Sequence, residues 1–198
     1  LEKVSKQDYE EFREWIEYNN LKRLQFDEPL AGSGPQDSYY LPDSLISNIA
    51  CLSQSLEGTQ IESVKITDFR VGIQDLKAFF SELKNTNITS LELRKCFNSD
   101  NWIENLAINL KSTKLNFLNL SFNQIGDQGA LILAQHLRGT NINSIDLSLN
   151  QISSLAAFRL AENLVGSELR EINLSDNQID DEDLGSLGAK LKETKVYS

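Results

Sequence analysis

LNLSFNQIGDQGALILAQHL, residues 118–137, opens with a phrase that the chain writes nearly twice more: IDLSLNQI from Ile145 and INLSDNQI from Ile172. The apolar residues that open these units, Leu115, Ile142 and Leu169, are spaced by 27. Two steps back of the same length reach Ile88, which opens ITSLEL, and Ile61, which opens IESVKI; one step forward reaches Val196. A constant period in the twenties built on L-x-x-L-x-L-x-x-N describes a unit of one short strand and one returning helix. Such a unit buries its apolar face only against its neighbours, so the units must stack.

The helix half keeps the same register. One column holds Phe79, Leu106, Leu133, Leu160 and Leu187, and another, four residues on, holds Leu83, Leu110, Leu137, Leu164 and Leu191. Ala107, Ala134 and Ala161 follow the first column, and Leu76, Ile103, Ala130, Ala157 and Leu184 precede it by three, which completes an i, i+3, i+4, i+7 stripe. The small residues let each helix sit close to a sheet. In the strand half Leu118 and Leu120 alternate inward, while Phe117, Asn119 and Ser121 point to the opposite face.

Asn123, Asn150 and Asn177 share the column where the chain leaves its strand. An amide there can bond the unpaired backbone groups of its own turn and of the next unit, forming a ladder along the stack. Cys96 occupies that column one unit earlier and is read as structural; Phe69 and Pro29 stand there before it, so the ladder is expected to be irregular toward the N-terminus. LKRLQF, from Leu21, opens a first unit 40 residues before Ile61, and the excess fits the Gly, Pro and Ser punctuated segment AGSGPQDSYYLPD. Before it, VSKQDYEEFREWIEYNN reads as an amphipathic helix with Ser5 as its cap and Val4, Tyr9, Phe12, Trp15 and Ile16 as its apolar face. Residues 1–20 are therefore expected to form an N-terminal capping helix, 21–60 a first repeat with an inserted loop, and 61–198 repeats of period 27. The last of these is truncated just after Val196, so the natural protein is expected to continue.

Composition narrows the function classes. The net charge of −10 repels phosphate backbones, and binding to them would need a local basic stripe, so nucleic acid is not an expected partner. No apolar run is long enough to span a bilayer. Cys51 and Cys96 are too few and too far apart for a disulfide framework or a zinc site, which favours reduced thiols and a cytoplasmic setting. The single histidine, His136, falls between core positions of a helix. With no second histidine, nucleophile elbow or Gly-rich phosphate loop, neither triad nor phosphate-loop chemistry is supported, and no cofactor is expected. The acidic run DDEDLG, from Asp180, lacks the alternating ligand spacing of a calcium loop and fits a helix N-terminus, where its charge favours the macrodipole.

The units LNFLNLSFNQIGDQGALILAQHLRGTN and INSIDLSLNQISSLAAFRLAENLVGSE resemble the ribonuclease-inhibitor-like class of leucine-rich repeat, over Leu21 to Ser198. The resemblance implies a right-handed horseshoe-shaped solenoid with a concave parallel sheet and convex α-helices. Within that class the terse N-Q-I-G-D-Q-G-A wording, the T-N-I spacers and the acidic balance resemble the repeats of effectors that intracellular bacterial pathogens secrete into host cells. That likeness implies a monomeric, non-catalytic recognition domain that binds a host protein. The alternative is a regulatory or recruiting module of a larger enzyme assembly. An F-box-like adaptor is one form of it, since LPDSLISNIACL from Leu41 resembles an F-box start, and a GTPase-activating protein of the same repeat class is another.

Binding is expected on the concave face, where repeated strands present side chains from a rigid curved sheet. Most outward residues there are small and polar. Phe117, Phe122 and Leu149 are apolar at positions expected to face solvent, and neighbouring units bring them together as a protein-binding hot spot would require. Lys65, Arg94 and Lys95 form a basic patch beside them, and Asn119, Asp146 and Asn173 complete the candidate partner-binding set. Trp102 is expected on the convex side, as a second candidate anchor.

Overall fold

The computed structural model describes residues 6–27, 49–68 and 73–196. The expected cap at Ser5, the Asn-column residues Pro29 and Phe69, and the inserted segment 31–43 lie outside the described residues.

The chain forms a six-stranded parallel sheet in which spatial order follows sequence order. Its strands are β1 (Arg23–Asp27), β2 (Ser63–Thr67), β3 (Ser90–Arg94), β4 (Phe117–Asn119), β5 (Ser144–Asp146) and β6 (Glu171–Asn173). The 27-residue period becomes the hydrogen-bonding register. Ser63 pairs with Ser90, Ser90 with Phe117, Phe117 with Ser144, and Ser144 with Glu171. Arg23 pairs with Ser63, so the 40-residue first unit joins the sheet without a register slip.

Helix α1 (Lys6–Tyr18) precedes β1. The helices α2 (Ile49–Leu56), α3 (Ile73–Glu82), α4 (Ile103–Asn109), α5 (Asp127–Leu137), α6 (Ser154–Asn163) and α7 (Asp181–Leu191) follow the strands in turn. Each packs beside the next, and α1 packs on α2 through the buried Phe12 and Ile16. This is an open solenoid, a sheet on one side and helices on the other, with one continuous core between them. Leu118, Leu120, Leu133 and Leu160 are fully excluded from solvent, each contributing about 1.5–3 kcal/mol of apolar burial. The alanines of the helix stripe, Ala107, Ala134, Ala157 and Ala161, are buried where the helices press against the sheet.

A second ladder runs where each helix returns to its strand. Thr59, Thr86, Thr113, Thr140, Ser167 and Thr194 recur every 27 residues, and each hydroxyl donates to the carbonyl three residues back. The same oxygens accept from the N–H two residues on, that of Ile61, Ile88, Leu115, Ile142, Leu169 and Val196. One short side chain thus satisfies both polar groups of a buried turn, which explains why only Thr and Ser fill this column.

Trp102 does not stand on the convex surface. It is 1% exposed, with its ring centroid 3.9 Å from that of Phe97 and 6.4 Å from that of Phe80. The reason lies in its own unit. Ile125 and Ile152 fill the core just after the Asn column in later units, but the corresponding residue here is the exposed Asn98. The indole of Trp102 turns inward and occupies that space.

Candidate functional site

The strand-side surface is built from columns 27 residues apart. Phe117 sits in register between Ser90 and Ser144, two small neighbours, and is half-buried. Lys65 lies on β2 and Arg94 ends β3, both half-buried, and the Arg94 Nε donates to Ser121 Oγ at 3.0 Å. Asn119, Asp146 and Asn173 share a column; Asn173 is exposed, Asp146 half-buried, and each side-chain oxygen is engaged locally. Asn119 is buried, and its Oδ1 accepts from Ser121 N at 2.9 Å. Asp146 Oδ1 accepts from the N–H and hydroxyl of Ser148, and Asn173 Oδ1 accepts from those of Ser175. These acceptors close the turn that ends each strand, a local role that Asn and Asp perform well.

The next column is a line of left-handed residues. Asp68, Lys95, Phe122, Leu149 and Asp176 have φ of 58°, 54°, 65°, 55° and 55°. In the first four the N–H donates to a carbonyl of the following unit, Arg94, Ser121, Ser148 and Ser175 respectively. The left-handed turn is therefore what lets adjacent units share hydrogen bonds beyond the strands. Asp tolerates this conformation, whereas a Phe or Leu side chain crowds its own carbonyl and costs about 1–2 kcal/mol. Phe122 and Leu149 are also 47% and 41% exposed, so they contribute little core burial in return. On one side of the pair, Lys95 forms an ion pair with Asp68; on the other stands the exposed Asp176.

Immediately after this column runs the amide ladder. Asn123 Oδ1 accepts from the N–H groups of Cys96 and Phe97, at 2.8 and 3.1 Å, and its Nδ2 donates to the Leu120 carbonyl at 2.9 Å. Asn150 repeats the pattern one unit on, accepting from Asn123 N and Ile125 N and donating to the carbonyls of Leu120 and Leu147. Asn177 accepts from Ile152 N and donates to Leu147 and Leu174. Cys96 is buried, and its Sγ lies 3.4 Å from the Ile66 carbonyl and 3.1 Å from that of Arg94, the places an amide nitrogen takes in later units.

Helix starts are cross-linked in the same way, which the sequence columns did not reveal. Asp100 accepts from Gly126 N and Gly129 N of the next unit, at 2.9 and 3.0 Å, and so supplies the cap that Gly126 lacks for α5. Asp127 accepts from the N–H and hydroxyl of Ser153, the N-cap of α6, and Ser154 Oγ accepts from Asp180 N ahead of α7. The signal was an acid or hydroxyl a few residues beyond the Asn column, legible only once the neighbouring helix start was known to lie beside it.

Little on the helical side points to chemistry. His136 is half-buried, with Nδ1 2.9 Å from the Ile132 carbonyl. Asp181, Glu182 and Asp183 form the first turn of α7. Among the described residues no group of His, Cys, Asp and Glu could hold a metal ion, and no helix is long and apolar enough to cross a membrane. Exposed apolar residues there include Leu155, at 67%, and Ile108, at 54%.

Comparison with known proteins agrees with the repeat. The chain matches the leucine-rich repeat family over residues 111–134 and 168–188. No curated protein matches it in sequence. Among solved structures it is similar to actin-binding site 2 of leiomodin-1, with a TM-score of 0.61 and 16% identity over 77% of this chain and 90% of that one. It is also similar to an internalin from Listeria monocytogenes str. 4b F2365, at a TM-score of 0.49 and 19% identity, covering 93% of this chain and 49% of the internalin. Register, ladders and structural likeness together give one conclusion: the fold is a leucine-rich repeat solenoid.

Proposed function

We propose that this chain is a non-catalytic protein-interaction scaffold whose partner docks on the strand side, across the units from β2 to β6. The observation that carries the reading is the pair Phe122 and Leu149. They are large apolar residues on adjacent units, partly exposed, and held in a conformation that costs stability without adding core. Strain retained at exposed positions is characteristic of binding sites, and apolar anchors ringed by small polar groups are what interaction hot spots use. The leucine-rich repeat fold supports the reading because its rigid sheet presents one continuous surface.

The finer part of the proposal is that the scaffold is the recognition domain of a bacterial effector, secreted into the host cell to bind a host protein in its cytoplasm. Its support is the wording of the repeats and the acidic balance of the chain. The test is affinity capture from host-cell lysate with the wild-type chain and a Phe122→Ala/Leu149→Ala variant. One protein enriched by the wild type and lost with the variant is the expected result, with Gln135→Ala on the helical side capturing as wild type. Retention by the double variant together with loss in Gln135→Ala would move the site to the helices.

A further inference from the structure

The charge on either side of Phe122 and Leu149 describes what fits over them. Toward β2 and β3 stand Lys65, Arg94 and Lys95, with Glu92 and Asp68 as partial counterweights and Lys95 already paired to Asp68. Toward β5 and β6 the ionisable side chains on the strands are Asp146 and Glu171, followed by Asp176 in the left-handed column; the exposed Arg170 just ahead of β6 is a partial counterweight, and this side is net anionic. A ligand lying across the units therefore meets cationic, apolar and anionic surface in that order. Parallel strands stand about 4.8 Å apart, so Lys95 and Asp176, three units apart in one column, are separated by about 14 Å. An extended chain advances about 3.3 Å per residue and turns every second side chain to the same face. Four residue steps then cover the distance, and the first, third and fifth side chains face the surface.

We infer that this ridge takes an extended segment of the partner reading acidic, any, apolar, any, basic. The apolar side chain sits against Phe122 and Leu149, the acidic one faces Arg94 and Lys95, and the basic one faces Asp176. This rests on the strand-side reading above and adds the chemistry of the partner to it. A uniformly basic ligand, which the net charge of the whole chain would attract, meets repulsion at the β2–β3 end. A uniformly acidic one meets it at the other end.

The test uses synthetic peptides with the cores DSLSK, DSLSD and KSLSK, titrated at physiological salt and followed by NMR. DSLSK is expected to bind at least fivefold tighter than either uniform peptide, whichever way its backbone runs. Asp176→Lys should transfer the preference to DSLSD; Lys already occupies this left-handed column at position 95, so the variant is compatible with the fold. Phe122→Asn should weaken all three peptides while raising the melting temperature by about 2 °C or more, because Asn tolerates the left-handed conformation that Phe does not. Equal binding of the three peptides, an unmoved preference in the charge variant, or no binding at all would overturn the inference. Lysate capture that depends on Phe122 and Leu149 would still stand in those cases, so the two readings fail separately.

Discussion

The segments LNFLNLSFNQI, from Leu115, and LREINLSDNQI, from Leu169, are nearly the same words, yet they live in different surroundings. Leu118, Leu120, Asn123 and Ile125 are entirely withdrawn from solvent, whereas Ile172, Leu174, Asn177 and Ile179 are only half-buried. The difference is the number of neighbours. The middle unit is covered on both sides by units of the same design, while among the described residues the later one is covered on one. Burial in this molecule is a property of the stack more than of the repeat, as expected when each unit stabilises only those next to it.

The comparison is broken most severely by a charge in the inward row. Leu120→Asp places an unpaired carboxylate in fully dry surroundings and should lower stability by more than about 4 kcal/mol, enough to abolish cooperative folding. Leu174→Asp, whose carboxylate reaches water, should cost less than half as much. Urea melts of the two variants measure this. Equal losses would show that the two units are equally dry in solution and that stacking does not set burial.

The amide ladder gives the next contrast. Asn150→Ala removes the acceptor for Asn123 N and Ile125 N and the donor to two carbonyls, all buried, and should cost about 1–3 kcal/mol. Asn177→Ala frees groups that are partly wet and should cost less than about 1 kcal/mol. Hydrogen exchange at Ile125 and Ile152 reads each loss where it occurs.

These contrasts also mark what the sequence could and could not disclose. The period alone yields the strand register, since pairing Ser90 with Phe117 and Phe117 with Ser144 is the same arithmetic as the repeat. The role of the Asn column followed from its position at the strand exit. Trp102 was misplaced because its direction depends on a vacancy left by Asn98, a side chain four residues away that turns outward. Asn119, Asp146 and Asn173 looked outward by alternation, but their turn-closing bonds depend on backbone geometry that alternation does not encode. Phe122 and Leu149 stood out as apolar residues in polar places, while their strain required φ.

Glycine sharpens the comparison between helices. Gly129 lies in the first turn of α5 against the Asp100 carboxylate, where an added Cβ would stand 2.4 Å from Oδ1 and 2.8 Å from Cγ. Gly129→Ala must displace the group that caps α5 and should cost about 1 kcal/mol, the worth of an N-cap. In α7 a Cβ on Gly188 meets nothing within 4 Å. Gly188→Ala should therefore raise stability by about 0.5–1 kcal/mol, the usual gain of Ala over Gly inside a helix. Opposite signs in thermal melts of the two variants are the expected outcome.

The smallest effect concerns the links between units on the surface. Lys114 Nζ donates to the neutral Asn87 Oδ1 at 2.7 Å, whereas Lys195, three units on in the same column, bonds both carboxylate oxygens of Glu168 at 2.7 and 2.9 Å. The hydrogen bond from Lys195, with its charge, holds the Glu168 carboxyl below its ordinary value of 4.5. A carboxyl lowered in the folded state contributes stability that is present above its unfolded pKa and fades as pH falls through the folded one. Both side chains are more than half exposed, so solvent and salt screen the pair strongly. At neutral pH and low salt the wild type should melt slightly above Glu168→Gln, and the gap should close when salt is added or when pH drops below the ordinary carboxyl range. Asn87→Ala, which removes the neutral link, should show no such dependence on pH. A gap in Glu168→Gln that survived both high salt and acid would mean that the pair acts by packing, and the contrast between charged and neutral links would disappear.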